Sequence, residues 1–404
     1  MENTTDSIGS TLRDRRTFLS QIGRGALAWG AAGALSAGAG SAACAARAAG
    51  DGIDPDERAA MDALAWEFMT GYKVPGMSVA IARKGRLVFA EGYGLADRTT
   101  NEPVVPAHLF RIASIAKPLT AVCVLRLAEQ GHFRLDDRVF AEGTLLGNAY
   151  GAQPYGQGVE DITLRHLLEH TPGGWSNDDH DPMFQNSEWD HARLISWVLD
   201  NRPLNAPPGQ AYAYSNFGYC LVGRIIERAT GLPYADAVRQ EVLTPCGISN
   251  MHLAGNAQAD RRADEVIYYG QRRGEDPYGM NVTRMDAHGG WLASATYLVR
   301  LAVRVDGFDT VADMLGADSI RQMSTPSAAN GNYALGWMVN SNNNWWHTGS
   351  LPGTSTILVR TSGEFCWAVL TNTRRLSGNM GGDLDRLPWN MTACVSRWPD
   401  VDLF

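Results

Sequence analysis

The sequence predicts an α+β fold: an antiparallel sheet built from both chain ends, flanked by helices, with a helical lobe over about residues 118–325 inserted between the sheet's two halves. Three observations predict it. Short β-rich runs stand near the start of the chain, aromatic and β-branched runs stand near its end, and the stretch between them has mainly helical periodicity.

The elements follow in order. Over residues 55–72, Met61, Leu64, Phe68 and Met69 share one helical stripe. After Pro75-Gly76, the runs Met77–Ala82 and Leu87–Ala90 flank Arg83-Lys84-Gly85-Arg86, which reads as a hairpin. Helices are predicted over Ile115–Gln130, Leu164–His170, His191–Leu199, Phe217–Ala229 and Tyr234–Leu243. Residues 141–160 and 254–290 are rich in Gly, Asn and Gln and read as loops. Tyr333–Val339, Trp346–Ser350, Ser355–Val359 and Phe365–Leu370 are predicted strands, and a last helix runs from about Asp383 to Arg397.

Composition excludes some functions. A chain of 404 residues with 45% hydrophobic and 19% charged residues can bury a large core without a metal or disulfide staple. A formal charge of −8 argues against nucleic acid, which calls for a basic stripe. No apolar run reaches the roughly 18 residues that span a bilayer. Residues 1–50 read as a twin-arginine-type export signal: Arg15-Arg16 precede Thr17-Phe18-Leu19 and an Ala/Gly stretch from Gly25 to Ala46, with a small-residue cleavage zone around Ala43–Ala49. The mature chain over residues 51–404 is then expected outside the cytoplasm, in the periplasm or beyond, without an integral membrane span. Cys44 lacks the preceding aliphatic residue that lipidation favours. The other five cysteines have no C-x-x-C spacing and read as small buried hydrophobes.

Chemistry concentrates in three places. Ser114 and Lys117 stand three apart at a helix start, so one helical face carries both. A serine hydroxyl needs a base to become a nucleophile, and a buried lysine can be that base. Only Lys73, Lys84 and Lys117 occur in the chain, so Ser-x-x-Lys is hard to meet by chance. Tyr214-Ser215-Asn216 opens the next long helix; the phenol can move a proton and the amide can hold a substrate carbonyl or amide, while the plain alternative is an N-cap at Ser215 or Asn216. Trp346-His347-Thr348-Gly349-Ser350 offers a strand edge to an extended substrate, with His347 and Thr348 able to meet a carboxylate or relay a proton.

In this order the three motifs resemble the superfamily of class C β-lactamases, D-Ala-D-Ala carboxypeptidases and related esterases. Leu167–Gly173, Gly289-Gly290-Trp291 and Tyr333-Ala334-Leu335-Gly336-Trp337 carry the same resemblance, over roughly residues 55–375. It implies a serine hydrolase that cleaves an amide or ester of a small molecule or peptide through an acyl-enzyme, with no metal or organic cofactor. Ser114 would be acylated, Lys117 would take its proton, and Tyr214 would share the acid–base work. Asn216 would hold the substrate's amide, and the backbone N–H groups of Ser114 and Ser350 would form the oxyanion hole. The departure is His347 where β-lactamases of this family carry lysine. A mostly neutral histidine weakens the hold on a substrate carboxylate. A D-amino-acid peptidase, a carboxypeptidase or a carboxylesterase is therefore expected before a true β-lactamase, with acidic pH restoring a cation at His347.

Two other readings compete. A penicillin-binding sensor or scaffold with little turnover would share the fold. His166-Leu167-Leu168-Glu169-His170 matches an H-x-x-E-H zinc pattern, with His166 and His170 as ligands, although Pro172-Gly173 ends that helix at once. Asp178, Asp179 and Asp181 read as a solvated acidic loop rather than a cation site.

Overall fold

The computed structural model describes residues 52–178 and 180–404. The export segment, with Arg15, Arg16 and Cys44, lies outside the described residues, as does Asp179. Among the described residues ten strands occur: β1 (Gly76–Arg83), β2 (Arg86–Asp97), β3 (Glu102–Pro103), β4 (Phe110–Arg111), β5 (His252–Leu253), β6 (Trp291–Ala293), β7 (Met338–Val339), β8 (Trp345–Leu351), β9 (Thr354–Arg360) and β10 (Phe365–Thr371). Among them run helices α1 (Pro55–Tyr72), α2 (Ala116–Glu129), α3 (Leu164–Leu168), α4 (His191–Asn201), α5 (Asn216–Thr230), α6 (Tyr234–Val238), α7 (Ala295–Val303), α8 (Ala317–Ser324) and α9 (Met380–Ala393).

The main sheet has the order β3-β2-β1-β10-β9-β8-β7. The two chain ends meet where β1 pairs antiparallel with β10, Met77 opposite Thr371 and Arg83 opposite Phe365. This is the sheet built from both ends. The β1–β2 turn places Lys84 and Gly85 at φ of 51° and 76°, the two left-handed positions of a tight hairpin turn.

Alternation along β1 divides the core. Met77, Val79 and Ile81 face α1 and α9, packing with Met61, Phe68 and Leu384. Ala80 and Ala82 belong to the larger cluster shared with the helical lobe. The four β7–β10 segments form one end of the sheet, and β7 pairs with only Trp345 and Trp346 of β8. The rest of that β8 edge, from His347 onward, faces the start of α2.

Several elements differ from expectation for local reasons. Tyr333–Trp337 is a turn rather than a strand, because Gly336 sits at φ of 78° against α2. A Cβ there would come within 2.8 Å of the Ala121 Cβ and 3.0 Å of the Lys117 carbonyl oxygen. Helix α3 stops at Leu168, and His170 turns left-handed at φ of 59°. The predicted Tyr234–Leu243 helix ends as α-helix at Val238 and continues as a π-turn over Arg239–Leu243. Helix α9 begins at Met380 and ends at Ala393, shifted toward the N-terminus of the predicted span.

Candidate active site

The nucleophile turn is a 3-10 turn, Ala113–Ile115, that runs straight into α2. Ala113 is held at φ of 48°, a left-handed conformation that costs an L-residue energy and persists only where its surroundings enforce it. The enforcement is visible in β9. Thr354 Oγ1 donates to the Arg111 carbonyl at 2.9 Å and Thr356 Oγ1 to the Ile112 carbonyl at 3.0 Å. Gly349 of β8 lies so close that a Cβ would stand 2.2 Å from the Ile112 oxygen. Ser114 is thereby presented, half-buried, at the N-terminal end of a buried helix.

Lys117 is fully buried one turn on. Its Nζ donates to Asn216 Oδ1 at 2.7 Å, to the His288 carbonyl at 3.1 Å and to Ser114 Oγ at 3.1 Å. Burial pulls its pKa down to about 7, partly opposed by the charge of Asp181. Two of its three partners are pure acceptors. When the amine is neutral, its two remaining hydrogens stay on Asn216 and His288, and its lone pair points at Ser114.

Ser215 caps α5, its Oγ accepting from the Gly218 N–H at 3.0 Å, so Tyr214 and Asn216 flank a helix start. Tyr214 lies under the Lys117 ammonium, 4.8 Å from Nζ to ring centre. Burial pushes the Tyr214 phenol up, against a hydrogen bond with Ser114 that lowers it. The two groups expected to share acid–base work thus differ: burial keeps the proton on the phenol near neutral pH, whereas Lys117 loses its proton from about pH 7.

His347 is 1% exposed and lies in a chain whose proton positions are determined link by link. The Ser215 N–H donates to His170 Nδ1 at 3.1 Å, so neutral His170 carries its hydrogen on Nε2. That Nε2 faces the Tyr333 hydroxyl at 3.1 Å, and the hydroxyl faces His347 Nε2 at 3.2 Å. His170 donates to Tyr333, Tyr333 donates to His347, and His347 Nδ1 donates to the Thr348 carbonyl at 2.7 Å. Burial, then the Lys117 charge, pull His347 down to about 3, opposed by its bond to Thr348. The expectation that acid restores a cation here is corrected. A protonated His347 would aim an N–H at the Tyr333 hydroxyl that now faces its Nε2, as a buried imidazolium within the field of the Lys117 charge.

Ser114, Tyr214, Asn216, His347, Thr348 and Ser350 line one cavity of 550 Å³, with Lys117 directly beneath. The structure thus brings all seven sequence-predicted site residues together. Sequence reasoning missed Asp181, Phe184, His288, Met338 and Arg374, which also line it. Asp181 was read as part of a solvated loop; instead its Oδ2 accepts from Asn216 Nδ2 at 2.6 Å. Arg374 is bound through Nε to Glu275 at 2.7 Å and reaches Ser350 Oγ at 3.4 Å. The zinc reading fails on geometry. His170 lies outside the helix with both nitrogens engaged, and His166 Nδ1 accepts from the Thr163 N–H at 3.2 Å, in a capping box.

A serine on a helix N-terminus, a half-neutralised lysine aimed at it and an open strand edge alongside are the parts that acyl transfer on a serine requires. The Beta-lactamase family model matches residues 61–387, and the chain belongs to that family. It is similar to penicillin-binding protein 4* of Bacillus subtilis (strain 168), at 30% identity over 203 residues, 47% of this chain and 41% of that protein. Esterase EstB of Burkholderia gladioli is 31% identical over 223 residues, 52% of this chain and 54% of the esterase. The chain spans about half the length of these two curated relatives. Among solved structures, a D-stereospecific amidohydrolase from Streptomyces sp. aligns with a TM-score of 0.63 at 25% identity, covering 79% of this chain and 95% of that one.

Proposed function

We propose that this chain is a serine hydrolase that cleaves an ester or amide through an acyl-enzyme on Ser114 and favours substrates without a carboxylate. The observation that carries the reading is Lys117, buried with a pKa of about 7 and its lone pair on Ser114 Oγ. Neutral Lys117 takes the Ser114 proton as Oγ bonds to the acyl carbon. The backbone N–H groups of Ser114 and Ser350 hold the resulting oxyanion. The leaving nitrogen or oxygen departs with a proton passed from Lys117 by way of the Tyr214 hydroxyl. Water then attacks the ester, gives its proton to the same base, and Ser114 Oγ leaves as the hydroxyl.

The preference rests on the neutral His347 and on Arg374, whose charge is shared with Glu275. Relatives include proteins named as an esterase and as a D-stereospecific amidohydrolase, which supports carboxylesterase or D-amino-acid peptidase chemistry. A carboxypeptidase is the second reading, favoured by Arg374 beside Ser350, where a terminal carboxylate would lie. The same proposal places the protein outside the cytoplasm, on the strength of Arg15-Arg16.

The test is a panel of short-chain nitrophenyl esters, D-amino-acid amides and nitrocefin, with intact-mass spectra after a fluorophosphonate. Esters or amides are expected to turn over faster than nitrocefin, with one adduct, on Ser114, lost in Ser114→Ala. Nitrocefin as the best substrate at pH 7 overturns the preference. An adduct on another serine overturns the mechanism. Labelling of Ser114 without turnover of any substrate assigns the chain to the sensor class.

A further inference from the structure

We infer that Asp181 is the anchor for a protonated amine on the acyl portion of the substrate, so that the natural substrates are esters or amides of amino acids with a free amino group. The inference rests on the proposed hydrolase reading and names its substrate class.

Asp181 is the only carboxylate among the described residues that line the 550 Å³ cavity. It reaches that position because Asn177 and Asp181 are strapped to the motif at Tyr214–Asn216. The Asn177 N–H donates to the Tyr214 carbonyl at 2.8 Å, and Asn177 Oδ1 accepts from the Asn216 N–H at 2.8 Å. Asp181 Oδ1 accepts from the Met183 N–H at 2.9 Å and Oδ2 accepts from Asn216 Nδ2 at 2.6 Å. Each oxygen keeps a lone pair, and a carboxylate carries more acceptor capacity than these two bonds use.

Its neighbours leave a negative charge to be matched. Burial raises the Asp181 carboxyl, opposed by its bonds to Met183 and Asn216 and by the fields of two cations, Lys117 and Arg202. Lys117 must be neutral at the moment it serves as base, so its charge is withdrawn when the substrate is bound and ready. Arg202 is itself directed to the His180 carbonyl at 2.8 Å and to Gln185 Oε1 at 3.3 Å. A substrate ammonium at Asp181 supplies the missing positive charge next to Asn216, where the substrate's own amide is held. An acyl group whose α-carbon bears the amine carries that charge into the cavity that Ser114 and Asp181 share. Phe184 and Met338, also in the lining, offer apolar surface to its side chain. A penicillin nucleus brings the opposite charge.

The experiment compares matched 4-nitroanilides and 4-nitrophenyl esters of D- and L-phenylalanine, each with a free amine and N-acetylated. The wild type is expected to favour the free amine in kcat/KM by about ten- to a hundredfold, the scale of one charge-assisted hydrogen bond, chiefly through KM. In Asp181→Asn, which keeps one acceptor oxygen, for either the Met183 N–H or Asn216 Nδ2, and removes the charge, that ratio should fall to near one. Asp181→Glu should retain part of it. Competitive inhibition of the wild type by phenylalaninamide, against its N-acetyl form, reads the same preference without any variant. A wild-type ratio near one, or a ratio that Asp181→Asn leaves unchanged while slowing both substrates alike, overturns the inference. The second result would reduce Asp181 to a positioning residue for Asn216. Loss of all turnover with no label on Ser114 is a different failure, that of the hydrolase reading itself.

Discussion

Lys117 donates to three acceptors, and only Ser114 among them has a proton to give back. This makes the residue's titration the control on activity. With a pKa of about 7, roughly half the amines are neutral at pH 7. kcat/KM for a neutral ester should rise with pH through about 7 and then level off. Nitrocefin should follow the same curve, because His347, held at about 3, stays neutral throughout pH 5–8. The ratio of the two rates should therefore be flat over that range; a ratio that climbs toward pH 5 would mean that His347 gains a proton. The same lysine has a stability signature. Its folded pKa lies below the ordinary 10.5, so between about 7 and 10.5 the unfolded chain binds a proton that the folded chain does not. Stability rises with pH across that window, and the cost of the buried ammonium is fully present below it. Lys117→Met should accordingly raise the melting temperature over wild type at pH 6, with the gain shrinking by pH 10.

At the scale of elements, the His170–Tyr333–His347 chain joins three separate segments: the residues after α3, the turn before β7, and β8. Tyr333→Phe would strand two buried nitrogens at once, the donor on His170 and the acceptor on His347. An unmatched buried polar group costs about 1–3 kcal/mol, so a loss of about 2–4 kcal/mol is expected in urea unfolding. A loss under about 0.5 kcal/mol would show that the nitrogens find other partners. This chain also marks the limit of the sequence reading. His170, Tyr333 and His347 each fell within a recognised motif, but nothing in their spacing tells that they share a proton path. The long periodic helices α1, α2 and α5 were legible because their apolar stripes repeat. The hairpin at Lys84-Gly85 was legible from its turn residues. Helices α7 and α8 were not read, being short and lying between loops and turns. Asp181 was misread for a related reason. Its loop is polar throughout, and only the straps from Asn177 to Tyr214 and Asn216 carry one of its carboxylates into the cavity.

For the whole molecule, the sheet sets the order of events. β1 pairs with β10 nearly three hundred residues later, so the sheet cannot close until almost the entire chain has been made. Five cysteines lie among the described residues, all free, and four of them are buried. A fold whose described cysteines are all free can form in a reducing compartment. That is the condition a twin-arginine route requires, since it carries proteins already folded. The segment 1–50 carries five arginines against three acidic residues, so its removal as an export signal would take the formal charge from −8 to −10. Replacing Arg15 and Arg16 together by lysine should hold the precursor in the cytoplasm. On the twin-arginine proposal the fold is complete before export, so the retained precursor should still be labelled on Ser114 by a fluorophosphonate. Normal export of the double variant would refute the twin-arginine route. Retained precursor that resists labelling would refute the claim that folding precedes export, and would point to a fold completed only after transfer.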